Sequence, residues 1–444
     1  MNLTADPIPK LVRAIAVPAS MGMFFQTMYN NVDTYFAGKI SVAALAALTF
    51  SFPVFFLVMA FGNGLGQAST ALMANALGAG QQQNGKVIFC QSLLYAFCLS
   101  VVLTTLGLIL APFLFRLQGA GEETLVLCLQ YMNVIMAGSA FVLVQGVLNA
   151  ELNARGNTKV ARNALIAGFF ANCVLDPWFM YGWAGIPAMG IAGLAWATIV
   201  CQAGSCLYMF SHVRRGPLWS GVGKADFAPH WATVRQVTGQ ALPAIFNMMT
   251  VGVGIFVIQY FIGKYGEASV AGYGIATRIE QMLLLPAMGL NYAVLSLVGQ
   301  NNGAGRLDRV RDTWHTTLRY GLAMMVVGGL LLWFTRRWLM GVFTEDQVVI
   351  DRGSDYLGIA SVTLCSYVIL FQTVVLLQGL KRPSFAVWIG MYRQILAPML
   401  VFHLLAVVLG WGLWGIWWGI TLITWSAALL TLAYGRWVLS KARV

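Results

Sequence analysis

Long apolar stretches fill the chain, separated by short polar or charged segments. A helix that crosses a bilayer needs about 20 mostly apolar residues. Twelve stretches meet that length, at roughly 11–37, 43–76, 87–114, 125–149, 161–182, 188–211, 236–262, 269–300, 315–342, 354–377, 385–409 and 411–435. Their apolar residues run on without the short alternating segments of a membrane barrel, so the pattern predicts an all-α polytopic membrane protein. Pro18, Pro53, Pro243, Pro286 and Pro398 fall inside spans. Membrane helices accept this because neighbours re-satisfy the freed carbonyls. The first stretch is too long for a signal-peptide core and lacks a cleavage signature, so it is expected to stay as the first span.

Composition agrees. Of 444 residues, 59% are hydrophobic and 9% charged, against about 25% charged in soluble domains. The net charge of +12 would point to nucleic acid on a soluble protein. Here its distribution matters more. With twelve spans, both termini share one side. Nineteen of the 27 basic residues fall on that side, Lys10, Arg13, Lys86, Arg155 and Arg443 among them. Six fall on the other: Lys39, Arg116, Lys264, Arg336, Arg337 and Arg352. Arg278 and Arg393 lie within spans. The positive-inside rule then places both termini in the cytoplasm of a bacterial inner membrane, and no nucleic-acid partner is expected. The seven cysteines show neither Cys-x-x-Cys nor Cys/His spacing and read as small buried hydrophobes.

The chain also matches itself at an offset of 225. Ala16, Pro18, Ala19 and Met23 meet Ala241, Pro243, Ala244 and Met248. Phe36, Gly38 and Lys39 meet Phe261, Gly263 and Lys264, and Gly78-Ala79-Gly80 meets Gly303-Ala304-Gly305. Later, Gly190, Gly193 and Trp196 meet Gly412, Gly415 and Trp418 at an offset of 222. The offset covers six spans, so the halves run in the same sense through the membrane. Such parallel repeats hold a substrate site between them and support alternating access. The expected organisation is an N-terminal six-helix lobe over 1–211, a basic cytoplasmic linker over 212–235, and a C-terminal six-helix lobe over 236–444.

Ionisable residues inside spans are costly and mark function by default. Asp33 shares one face of the first span with Gln26 and Tyr29, seven and four residues earlier. Asp176 follows Asn172 by four residues in the fifth. An Asp176-Pro177 turn ending that helix would leave only about 15 residues, short for a bilayer, so the helix is expected to run on to Gly182. The repeat partners are Ile258 and Val401, so the second lobe keeps the scaffold and drops both acids. Two carboxylates facing one pocket cannot both ionise cheaply, which makes a bound proton workable near neutral pH. With Asn, Thr and backbone oxygens nearby, the same pocket has ligands for Na⁺ instead, though H⁺ is the coupling ion expected. Tyr131, Asn149 and Thr198, on other first-lobe spans, are placed to complete the pocket. Arg278 and Glu280 in the eighth span read either as a locally satisfied buried pair or as a substrate or ion site. Arg393 lies close enough to the inner surface to snorkel. No Walker A loop or His-Glu-x-x-His is present, and His403 stands near a span centre without a partner, so an intramembrane enzyme is disfavoured.

Several segments are familiar together: Ala16-Val-Pro18-Ala-Ser20, Tyr29-Asn-x-Val-Asp33-Thr-x-Phe-Ala-Gly38, Gly64-Leu-Gly-Gln67, Asn172-x-x-Leu-Asp176-Pro177 and Val298-Gly-Gln300-Asn-x-Gly303-Ala-Gly305. They resemble the MATE (multidrug and toxic compound extrusion) family of the wider MOP superfamily, and most closely its DinF-like bacterial branch. The resemblance spans the whole chain. It implies two six-helix bundles around a central cleft and antiport driven by H⁺ or Na⁺. It carries a first-lobe site onto Asp33, Asn172 and Asp176, with Gln26, Tyr29, Tyr131, Asn149 and Thr198, and links Pro18 to bending of the first helix. The family's NorM-like branch uses second-lobe acids, which leaves Glu280 a candidate only.

The function expected is export of small amphipathic, often cationic compounds by a monomer without a cofactor. A flippase for lipid-linked oligosaccharides ranks second, because such proteins usually carry more cationic residues in the cleft, where only Arg278 and Arg393 are available.

Overall fold

The computed structural model describes residues 1–183 and 185–441. Arg443, counted above among the basic residues, lies outside them. Among the described residues there are helices and no strands. The first half contributes α1 (Ile8–Ile40), α2 (Val42–Gly78), α3 (Gln82–Leu117), α4 (Glu122–Ala137), α5 (Ser139–Ala154), α6 (Thr158–Tyr181) and α7 (Ile191–Val213). The second contributes α8 (Trp231–Gly263), α9 (Glu267–Gly303), α10 (Leu307–Gly341), α11 (Gln347–Gly379), α12 (Ser384–Val408) and α13 (Gly412–Lys441). Eleven of these are long and apolar enough to cross a membrane, and α4 with α5 makes a twelfth when the bent pair counts as one crossing. Helices of 33 to 37 residues run about 50 Å at 1.5 Å per residue. That exceeds a hydrocarbon core of about 30 Å, so they tilt or project beyond it.

Two spans differ from the uninterrupted helices expected. The span predicted over 125–149 bends by 44° between α4 and α5, at Gly138. Thr104 of α3 explains it: its hydroxyl donates to the Met136 carbonyl at 2.6 Å and lies 2.9 Å from the Ser139 hydroxyl. A side chain inserted into the backbone ladder is a recognised cause of a kink. The span predicted over 385–409 holds two π-helical stretches, Tyr392–Leu396 and His403–Val408. Pro398 sits in the first turn of the α-helical piece between them, where its missing N–H costs least. The cysteines also need a correction. Cys90, Cys128, Cys201 and Cys206 are buried, Cys173 and Cys365 half-buried, and Cys98 exposed; all are free thiols.

The chain forms two compact units, Met21–Ile245 and Met1–Ser20 with Phe246–Val444. Their boundaries fall inside α1 and α8, at positions that match under the offset of 225, each two residues past a proline (Pro18 and Pro243). Within the second of these units, Arg309 holds the start of the chain: its guanidinium donates to the Asp6 carbonyl at 2.6 Å, and Arg306 donates to that of Thr4 at 2.7 Å. Within the other, the segment between α7 and α8 folds back on α3. Gln91, fully buried, donates to the carbonyls of Asp226 and Ala228 and accepts the His230 N–H. Lys86 pairs with Asp226 at 3.4 Å. The basic segment 212–235 is therefore an ordered strap, and its last residues already belong to α8.

Candidate functional site

The site lies inside the Met21–Ile245 unit, where α1, α6 and α7 each turn a polar stripe inward. On α1, Gln26, Tyr29, Asn30 and Asp33 recur at helical spacing and line one pocket. α6 continues through Pro177 to Tyr181, as expected, which keeps Asn172 and Asp176 one turn apart on the same face. Both are fully buried. Asn172 donates from Nδ2 to Asp176 Oδ1 at 2.8 Å. From α7, the Thr198 hydroxyl donates to Asp33 Oδ2 at 3.4 Å. Asp33 itself is 7% exposed.

The remaining carboxylate oxygens define the chemistry. Asp33 Oδ1 and Asp176 Oδ2 are buried and find no donor among the described residues, while the two carboxyl groups lie within hydrogen-bonding reach of each other. Two ionised carboxylates cannot satisfy one another, because each only accepts. A single proton between them, or a small cation, pairs both oxygens at once. Tyr29 Oη and Asn172 Oδ1 are also buried without partners and add acceptor capacity beside the pair. Tyr131 is buried within electrostatic range of both acids. Among the described residues, no group of three His, Cys, Asp or Glu is placed to hold a metal ion.

The pocket takes in residues that the sequence did not single out: Asn30, Gln145, Cys201, Gln202 and Ser205. No Lys or Arg lines it. Of the residues expected there, Asn172, Asp176 and Tyr131 pack behind Asp33 without lining it, and Asn149 does not line it either. Asn149 lies one helical turn beyond Gln145, with Oδ1 buried and unpaired.

In the other unit, Arg278 and Glu280 part company. Arg278 is exposed and Glu280 buried, and no ion pair joins them, which removes the locally satisfied pair considered above. Two residues apart on a helix, they point to different faces. Glu280 instead accepts the Tyr356 hydroxyl at 2.7 Å, leaving Oε1 unpaired, inside an aromatic wall where Tyr273 stacks on Trp417 at 5.7 Å. Arg393 lies over the rings of Tyr367 and Phe371, at 5.6 and 5.8 Å.

Comparison with known proteins places this architecture. The MatE family model matches residues 18–178 and again 243–403, two copies separated by the same 225 residues as the internal repeat. The chain is 26% identical over 405 residues to the FAD transporter of Shewanella oneidensis, covering 89% of this chain and 87% of that one. It is 24% identical over 380 residues to the probable multidrug resistance protein YoeA of Bacillus subtilis, covering 84% and 81%. Crystal structures of MATE in the straight and the bent conformation match the fold with TM-scores of 0.92 and 0.93. Their identities are 24% and 23%, over 99% of this chain and 98% and 97% of theirs. The chain belongs to the MatE family of membrane transporters.

Proposed function

We propose that the protein is a cation-coupled antiporter that exports amphipathic, often cationic compounds across a bacterial inner membrane, with Asp33 and Asp176 as the coupling pair. The observation that carries this reading is two buried carboxyl groups within hydrogen-bonding reach, each with one oxygen left unpaired, Asp33 Oδ1 and Asp176 Oδ2, at positions where the second repeat has Ile258 and Val401. The same scaffold therefore folds without these acids. H⁺ is the coupling ion favoured, since one proton satisfies both oxygens; Na⁺ would draw on Asn172, Thr198 and Tyr29 as well. Loading the pair changes what holds α1 against α6 and α7. α1, which carries Pro18 inside it, bends in response, narrowing the pocket and releasing substrate outward.

A second reading, export of an anionic dinucleotide, gains support from the likeness to the FAD transporter. The pocket lining argues against it. A diphosphate calls for Arg or Lys, and this pocket offers carboxamides, a tyrosine and a carboxylate.

Proteoliposomes with pH and Na⁺ gradients varied independently test both points. A pH gradient alone is expected to drive uptake of an amphipathic cation such as ethidium, and Asp33→Asn to abolish it. Coupled exchange at the wild-type rate in Asp33→Asn would remove the pair from the mechanism. Uptake of FAD in place of ethidium would favour the second reading.

A further inference from the structure

Away from the coupling site, α12 and α13 enclose a groove on the surface of their unit. Phe385, Trp388 and Tyr392 wall it from α12, and Leu430, Tyr434 and Trp437 from α13. Its aromatic residues are ordered against one another. Phe385 stacks on Tyr434 at 4.2 Å with planes 8° apart, and Tyr434 meets Trp437 at 5.6 Å. One turn further, Lys441 Nζ sits 4.4 Å over the Trp437 ring. Trp388 stays 70% exposed.

The fold does not require this lining. At the matching positions of the first repeat stand Val160, Asn163 and Ala167 for the α12 wall, and Tyr208, His212 and Arg215 for the α13 wall. Length and polarity then narrow the occupant. The lining runs from Leu430 to Trp437, and with Lys441 one turn further the wall and its cation together span about 16 Å, roughly half of a 30 Å hydrocarbon core. One leaflet's acyl chain has that reach. The end carrying Trp437 and Lys441 has the composition of a headgroup-level belt, and a basic residue there attracts anionic headgroups. An apolar groove alone would accept any acyl chain, whereas a cation at one mouth selects for charge.

We propose that this groove seats one phospholipid with an anionic headgroup, its acyl chain along the aromatic wall and its phosphate at Lys441. The proposal goes beyond the antiport reading and stands whether or not Asp33 and Asp176 couple a cation.

The test is native mass spectrometry of the full chain in a nonionic detergent, with phosphatidylglycerol or phosphatidylcholine of identical acyl chains. The wild type is expected to retain phosphatidylglycerol in preference. Lys441→Gln should weaken that retention about fivefold and leave phosphatidylcholine unaffected. Tyr434→Leu should weaken both lipids. An unchanged melting temperature identifies the variants as folded. Equal phosphatidylglycerol retention by wild type and the charge variant would overturn the proposal. So would displacement of the lipid by inorganic phosphate, or a stable dimer covering the groove.

Discussion

Asn172 makes a buried acid tolerable on α6, because its amide supplies the donor at 2.8 Å to Asp176 Oδ1. Asn172→Leu leaves that oxygen buried and unpaired, at a cost of about 1–3 kcal/mol. A lower melting temperature in detergent is expected, and Asp176→Asn in the same background should recover part of it by removing the orphaned acid. A melting temperature unchanged by Asn172→Leu would mean that water satisfies the site instead. The acids themselves were legible in sequence, since a charge inside an apolar run has few bland explanations. Asn30, Gln145 and Gln202 were not, because single uncharged polar residues in spans usually make ordinary helix–helix hydrogen bonds. Their spacing was nonetheless available: each lies four residues from a residue that was singled out, Gln26, Asn149 and Thr198 respectively. Arg278 and Glu280 misled for the opposite reason. Closeness in sequence suggested a pair, while a separation of two on a helix turns the side chains apart.

Helices meet where the repeat keeps glycine. A Cβ on Gly193 of α7 would stand 2.6 Å from the Phe179 backbone, and one on Gly415 of α13 would stand 2.7 Å from the backbone of Leu405 and Ala406. Backbone cannot swing aside as a flexible side chain does, so Gly193→Ala and Gly415→Ala should each cost about 1–3 kcal/mol through overpacking. Gly204→Ala on the same α7, with nothing within 4 Å of its Cβ, is the control; equal melting temperatures for all three would contradict the close approach. These glycines were visible as a repeated motif. The bends were not, since they depend on which neighbour reaches a carbonyl. The strap between α7 and α8 adds a pH dependence. The Gly223 amide, at 2.9 Å, and then Lys86 hold the Asp226 carboxyl below the usual carboxylate range. An acid with a lowered pKa stabilises above its ordinary value of about 3.9 and loses that contribution as pH falls through the lower folded value. Amide exchange at Gly223, corrected for its intrinsic pH dependence, should stay slow at pH 5 and rise only in stronger acid. Asp226→Asn should exchange faster at both.

For the whole chain, the count of crossings decides the topology, and the bent pair decides the count. If α4 and α5 formed a re-entrant hairpin, there would be eleven crossings and the termini would face opposite sides. The repeat argues for one crossing. The pair runs from Glu122 to Ala154, and α11 from Gln347 to Gly379, displaced by 225 at both ends. α11 passes straight through as one helix of 33 residues. The kink has a local cause that the second half lacks, because the residue matching Thr104 is Gly329, which has no hydroxyl to draw out a carbonyl and packs against that of Ser361 instead. We propose twelve crossings, with both termini on the side where the basic residues concentrate and that side in the cytoplasm. The charge bias alone is weaker evidence than it looks. Were the pair re-entrant, every loop after α5 would change sides, and most of the basic residues would still gather on one face, now with the N-terminus opposite. The N-terminus is therefore the discriminating end. A green fluorescent reporter should fluoresce when fused to either terminus, and alkaline phosphatase should be inactive at both. Phosphatase activity at the N-terminus alone would make the bent pair a hairpin; activity at both ends would invert the whole molecule.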